Sequence, residues 1–153
     1  ASFDHETEEI VYKEYYNIGI AVDTEDGLLV PVIRNADKKS IKEIAAELFD
    51  ISEKARNRTI SLDDMKDGTF TITSYGSIGG KYATPIINYP QAGILGIGRL
   101  HEAPVVKEGQ LAVGNIMPLS LSVDHRIVDG GNATRFFNDI IDYLSEPLLL
   151  IME

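Results

Sequence analysis

Apolar residues recur at helical spacing in two stretches of the chain and at strand spacing in most of the rest. Between residues 40 and 58, Ile41, Ile44, Ala45, Leu48, Ile51 and Ala55 fall on one stripe, as in an amphipathic helix. Ser40 and Glu43 have the separation of a capping box, which starts the helix at Ser40. Arg56 and Arg58 fall in its last turn, where cations suit the helix dipole. This helix reads as structural, covering one face of a sheet. A second stripe, Ala133, Phe136, Phe137, Ile140, Ile141 and Leu144, predicts a helix over 132–145. Pro147 ends it, and an apolar tail follows.

Strand patterns fill the remainder. EEIVYKEYYNIGIAVD (8–23) reads as two strands around Lys13 to Asn17. Glu25-Asp26-Gly27 is a turn before a strand at 28–33. Ser61 to Met65 reads as one short helical turn, ended near Gly68. TFTITSY (69–75) alternates as a strand and runs into a flexible loop, GSIGG (76–80). ATPIIN (83–88), AGILGIGRL (92–100) and PVV (104–106) are expected strands. Lys107-Glu108-Gly109 suits a hairpin turn. A long strand is expected from Gln110 to about Val123, with Leu119, Leu121 and Val123 on its apolar face. Many strands, short links and two helices predict an α/β (α+β-like) fold. The expected form is a two-layer sandwich, a mixed sheet with helices on one face.

Composition narrows the function. The chain has 153 residues, the size of one domain, and a net charge of -10. Such an acidic chain repels phosphate backbones, which argues against nucleic acid. It has no cysteine, hence no disulfide, thiol nucleophile or Cys-ligated metal. No apolar run is long enough to span a bilayer. The three histidines, His5, His101 and His125, have no metal-ligand spacing.

The candidate chemistry centres on SVDHRIVDGG (122–131). His125 continues the apolar face of the preceding strand, so it is expected at the end of a buried strand against the start of a helix. Asp129 and Gly130 follow in a tight strand-to-helix connection. Two readings stand side by side. His125 is a satisfied histidine at a strand end, or it is a base on a rigid mount, since imidazole titrates near neutral pH. Asp129 caps the helix or pairs with a cation. His5, in an acidic terminus, and His101 read as structural or solvated. Thr71, Thr73, Ser74 and Ser77 form a second polar cluster. Gly93, Gly96 and Gly98 do not match a dinucleotide-binding fingerprint, and no helix follows them in the right place. G-x-S-x-G is absent, which argues against an α/β-hydrolase.

His125, Asp129 and Gly130 form HxxxDG, which resembles the signature of the coenzyme A-dependent acyltransferase superfamily that includes chloramphenicol acetyltransferase. LSLSVDHRIVDGGNATRFFNDI resembles the end of the catalytic domain of dihydrolipoyl acyltransferases, the core components of 2-oxo acid dehydrogenase complexes. YYNIGIAVDTEDGLLVPVIRNAD, TFTITSYGSIGG, TPIINYPQAGILGIGR and EPLLLIME resemble the same family, in family order, across essentially the whole chain.

The resemblance implies a chloramphenicol acetyltransferase-like fold and acyl transfer between dihydrolipoamide and coenzyme A. His125 would be the general base, Thr73 the hydroxyl that stabilises the oxyanion, and Asp129 an orienting residue held by an arginine. Coenzyme A is then a substrate, the lipoyl group comes on a separate domain, and no metal is needed. The resemblance further implies a homotrimer with sites between subunits, assembled into a larger shell with the other dehydrogenase-complex components. Leu148 to Met152 resembles the apolar plug that joins trimers; the alternative is a segment packed on its own core. The chain begins inside the family's catalytic domain, so residues 1–153 are expected to be one N-terminally truncated catalytic domain. The arginine that would hold Asp129 would lie upstream. No Asp-Lys-Ala lipoylation motif is present, and no lipoyl or subunit-binding domain is expected. GSIGGKYATP resembles the acetyl and branched-chain classes more than the succinyl class. The implied location is a prokaryotic cytoplasm, or a mitochondrial matrix if the source is eukaryotic. The rival reading is a catalytically incompetent assembly fragment of the same core.

Overall fold

The computed structural model describes residues 1–149. Strands β1 (Ser2–Asp4) and β2 (Glu9–Val11) form an antiparallel N-terminal hairpin. Strand β3 (Ile18–Ile20) enters the main sheet. A small hairpin of β4 (Val22–Thr24) and β5 (Gly27–Leu29) follows, with the expected turn between them. Then come β6 (Val32–Ile33) and helix α1 (Ile41–Arg56). The expected strand at 28–33 is thus divided. Pro31 lies at the break and has no N–H for a ladder, though its carbonyl accepts from Ile20 N at 2.8 Å.

Helix α1 starts as its spacing predicts. Ser40 Oγ accepts from Glu43 N at 3.3 Å, and the Glu43 carboxylate accepts from Ser40 N at 2.8 Å. These contacts, the Ser40 hydroxyl first, hold the Glu43 carboxyl below the usual range. The buried stripe is narrower than expected. Ile51 and Ala55 are buried, but Ile41 and Ala45 are exposed. Ile44 and Leu48 border an apolar cavity of about 420 Å³ between helix and sheet, so the first half of α1 stands off the core. Arg58 lies beyond the helix end and pairs with Asp26 in the β4–β5 turn at 2.6 Å.

After a 3₁₀ turn at Asp63–Met65 come β7 (Phe70–Ser74), a second such turn at Gly76–Ile78, and β8 (Gly93–Ile97). Residues 83–88 form no strand. Pro85, Ile86 and Ile87 line a cavity with Thr71 and Thr73, so this segment crosses the face of the sheet, where no ladder is on offer. Strands β9 (His101–Lys107) and β10 (Gln110–Ile116) form a separate hairpin. Its two-residue turn has φ 52° at Glu108 and 77° at Gly109, the sense that matches strand twist. The long strand expected at 110–123 breaks at Met117-Pro118. Its second half is β11 (Leu119–Val123), which is followed by α2 (Gly130–Ser145).

The main sheet runs β11-β8-β7-β3-β6. Strands β3, β7 and β8 are parallel, and the two edge strands are antiparallel to them. Phe70 and Ile72 alternate onto one face. Ile72 meets the α1 cavity, and Phe70 meets Phe136 of α2 edge to face, centroids 5.9 Å apart. Both helices therefore cover the same face, as the two-layer sandwich requires. Of the tail, only Leu148 and Leu149 are described, and both are exposed; the rest of the expected plug lies outside the described residues.

Candidate active site

Strand β7 separates its side chains by parity. Thr71 and Thr73 face away from the helices, into a cavity of about 380 Å³ whose other walls include Leu28, Val30, Tyr75 and Pro85. Thr71 is fully buried and donates to Gln91 Oε1 at 2.6 Å. The hydroxyl of Thr73 has no hydrogen-bond partner among the described residues. Thr73 pairs with Gly96, and Gly96 with Ser120. A Cβ on Gly96 would lie 2.8 Å from the Tyr75 ring. The missing side chain lets that ring fold over the sheet, where its hydroxyl meets Ser120 Oγ at 3.2 Å. Gln91 and the Tyr75–Ser120 pair carry no signal in the sequence that singles them out.

His125 lies elsewhere. Strand β11 ends at Val123, so His125 does not continue its buried face; it is exposed in the turn that follows. Asp124 builds that turn. Its N–H donates to Ala92 O at 2.8 Å, and its carbonyl accepts from Ile127 N and Val128 N at 2.9 Å. Its carboxylate accepts from Arg126 N at 3.0 Å and from Arg126 Nε at 2.9 Å. The Arg126 side chain first, with its backbone N–H adding, holds the Asp124 carboxyl below the usual range. The guanidinium sits over the Phe3 ring, 4.7 Å from its centroid, with Nη1 3.4 Å from His5 Nε2. His5, read from sequence as structural or solvated, packs edge-on to Phe3 with centroids 5.1 Å apart.

Asp129 is the N-cap of α2. One carboxylate oxygen accepts from Asn132 N at 2.8 Å and the other from Asn132 Nδ2 at 2.7 Å. The backbone N–H of Asn132, that of Gly131 and the Arg135 charge hold its carboxyl low, in that order. Arg135 donates to Asn132 Oδ1 at 2.6 Å. The cation whose charge bears on Asp129 is thus one helical turn downstream, and its hydrogen bond goes to Asn132 and not to the carboxylate.

One chain does not join Thr73 to His125. Thr73 is level with Ser120, three residues before β11 ends. At about 3.3 Å per residue and about 4.8 Å per strand, Val123 is about 14 Å from Thr73, with His125 further along. A base and an oxyanion donor that serve one reacting centre must each come within about 3 Å of it, which this separation does not allow. His125 also does not line the Thr73 cavity. Among the described residues, no group of three His, Asp or Glu stands ready to hold a metal.

The family model for the catalytic domain of 2-oxoacid dehydrogenases acyltransferase matches residues 1–152. The chain belongs to this acyltransferase family. A Staphylococcus aureus relative, the dihydrolipoyllysine-residue acetyltransferase component of the pyruvate dehydrogenase complex, is 48% identical over 99% of this chain and 35% of its own length. Two solved structures of the family superpose with a TM-score of 0.92 over 98% of this chain and 62% of theirs. One, 43% identical, addresses a serine, a histidine and an asparagine in the catalytic mechanism of Azotobacter vinelandii dihydrolipoamide acetyltransferase. The other, 42% identical, is the cubic core of the pyruvate dehydrogenase multienzyme complex. A chloramphenicol acetyltransferase matches at 16% identity and a TM-score of 0.53, covering 90% of this chain and 65% of that one, which establishes the shared fold alone. The chain spans about a third of the curated relative and under two thirds of the solved cores.

Proposed function

We propose that this chain is the acyl-transferring part of a dihydrolipoyl acyltransferase, and that its active site forms between copies. One observation carries the reading. An unpartnered hydroxyl faces an apolar cavity at one end of the sheet, and the histidine of HxxxDG stands on a braced turn at the other. Each half-site is complete in kind and unusable alone. A neighbour placed with its His125 turn over the Thr73 cavity supplies both halves. The A. vinelandii histidine and asparagine are four positions apart, as are His125 and Asp129, which supports giving this turn the same task.

The chemistry follows from the residues. His125 accepts the proton of the coenzyme A thiol. A thiol of pKa about 8.5 is mostly protonated at neutral pH, so a positioned base contributes roughly 10²–10⁴-fold. The thiolate attacks the thioester carbonyl of acyl-dihydrolipoamide. Thr73 Oγ1 donates to the oxyanion. Collapse breaks the bond to the lipoyl sulfur, which takes the proton from the His125 imidazolium. Asp129 keeps the turn and the start of α2 in place. Coenzyme A and the lipoyl group, the latter on another domain, are substrates; no metal takes part. Acetyl or branched-chain acyl groups are preferred over succinyl. The parent works as a trimer within a larger shell, beside the other components of a 2-oxo acid dehydrogenase complex, in a prokaryotic cytoplasm. Among the described residues, no helix is long and apolar enough to cross a membrane.

The test is transfer from acyl-coenzyme A to free dihydrolipoamide by wild type and His125→Ala, with particle mass from light scattering. Loss of at least about 10²-fold in His125→Ala at unchanged mass is expected. Equal rates in the two proteins would remove His125 as the base. A defined oligomer with no transfer in either would leave the assembly-fragment reading. A clear preference for succinyl-coenzyme A would sink the acyl assignment.

A further inference from the structure

His125 is exposed, and its ring has no hydrogen-bond partner among the described residues. Its two neighbours in sequence are, by contrast, heavily tied. The Asp124 backbone is bonded on both sides, to Ala92 in β8 and to Ile127 and Val128 across the turn. Its side chain is largely covered, 16% exposed, although it carries a charge. Such a carboxylate needs a partner, and Arg126 provides one through both its backbone and its guanidinium. The guanidinium then rests on Phe3, and His5 Nε2 accepts from Nη1 in the Nδ1–H tautomer.

We propose that the Asp124–Arg126 pair, seated on Phe3 and His5 of the N-terminal hairpin, is a positioning device for His125. It closes a ring of contacts over the peptide that carries the histidine and anchors that ring to strands more than a hundred residues away in sequence. An isolated surface ion pair holds little, because two long side chains lose rotamer freedom for a screened contact. Here a planar fork, a backbone N–H, an aromatic face and a ring nitrogen act on the same two side chains, so the geometry is shared among several contacts. Asp124 and Arg126 touch no reacting atom. They act by limiting the rotations left to the backbone at residue 125. The role in transfer rests on the reading of His125 as the base.

The experiment uses the full-length protein carrying Arg126→Gln, Arg126→Lys, Asp124→Asn or Phe3→Leu, with His125→Ala alongside. Transfer from acetyl-coenzyme A to free dihydrolipoamide gives kcat and KM. Carbethoxylation by diethyl pyrocarbonate, read by peptide mass spectrometry, gives the local order of His125, with His101 as internal reference. Because misplacing a reacting group by about 1 Å can cost about 10²-fold, Arg126→Gln and Asp124→Asn should lower kcat about tenfold or more, with KM for acetyl-coenzyme A within about twofold. His125 should be modified several times faster while His101 is unchanged. Arg126→Lys keeps the charge and loses the fork, and should recover part of kcat. Phe3→Leu removes the platform and should fall between wild type and Arg126→Gln. Wild-type kcat and wild-type His125 modification in Arg126→Gln would overturn the proposal. If that variant does not assemble, Arg126→Lys and Phe3→Leu decide, and wild-type behaviour in both overturns it. Full transfer in His125→Ala would refute the base instead, while the modification rates still report on the clamp.

Discussion

Two threonines on one face of β7 have opposite fates. Thr71 is spent on structure: its hydroxyl holds the buried amide of Gln91. The hydroxyl of Thr73, two residues on, has no hydrogen-bond partner among the described residues. Their substitutions should therefore separate stability from activity. Thr71→Val leaves Gln91 buried with an unpaired acceptor and should cost about 1–3 kcal/mol in denaturant unfolding. Thr73→Val should leave unfolding within about 0.5 kcal/mol but lower transfer about 10²–10³-fold, whereas Thr73→Ser should retain it. A Thr73→Val protein with wild-type transfer would remove Thr73 from the site. The carboxyls of Asp124 and Asp129 give a pH dependence with a definite sign. Both are held below their ordinary value in the fold by donated hydrogen bonds. Their contribution is fully present above the unfolded carboxyl pKa of about 3.9 and is lost as pH falls through the lower folded value. Stability should thus be flat in these terms between about pH 5 and 7 and fall below about pH 4. Asp124→Asn should flatten part of that acid loss in urea titrations, and an unchanged acid limb would refute the assignment.

At the scale of elements, local rules held where an element depends on its own residues. The capping box of α1 is present with both of its bonds. Ser40→Ala should cost about 1 kcal/mol in thermal or denaturant unfolding, and a neutral result would show that tertiary contacts alone hold this helix start. The β9–β10 turn is local in the same way, and Glu108 and Gly109 take the left-handed backbone that a two-residue hairpin requires. Asp129 caps α2 as its position in the motif allows. The misses are all non-local. Pro31 and Pro118 stand in plain view, yet only strand pairing shows that each divides one apolar run between two sheets. Residues 83–88 have a strand's composition but cross a sheet face instead of joining its edge. Ile41 fits the helical stripe and stays exposed, and the cavity under this half of α1 is bordered by Ile44 and Leu48 instead. The motif also led to His125 but not to its setting. Its flanking acid and base become a clamp only when the N-terminal hairpin brings Phe3 and His5 beneath them.

Over the whole molecule, the single chain leaves much of its apolar surface uncovered. None of the residues of α2 is buried, although Phe136, Ile141 and Leu144 share one apolar side. Ile116, Met117 and Leu119 border a groove of about 640 Å³ against the end of that helix, and Leu111 and Val113 are exposed on the hairpin beside it. Surfaces of this kind are normally covered by a partner. If copies of the chain supply that cover, thermal stability should rise with protein concentration, since association stabilises only the folded form. A midpoint independent of concentration across a hundredfold range, with monomeric mass in light scattering, would contradict a shared site. The sequence by itself determined the two helices, the cap of α1, the tight turns and the HxxxDG motif, because each depends on residues within a few positions of one another. The tertiary structure alone decided that Thr73 is level with Ser120, that His125 stands beyond the far end of the sheet, and that one chain keeps them apart. Strand register sets those distances, and register comes from pairing between segments tens of residues apart, which no local pattern encodes.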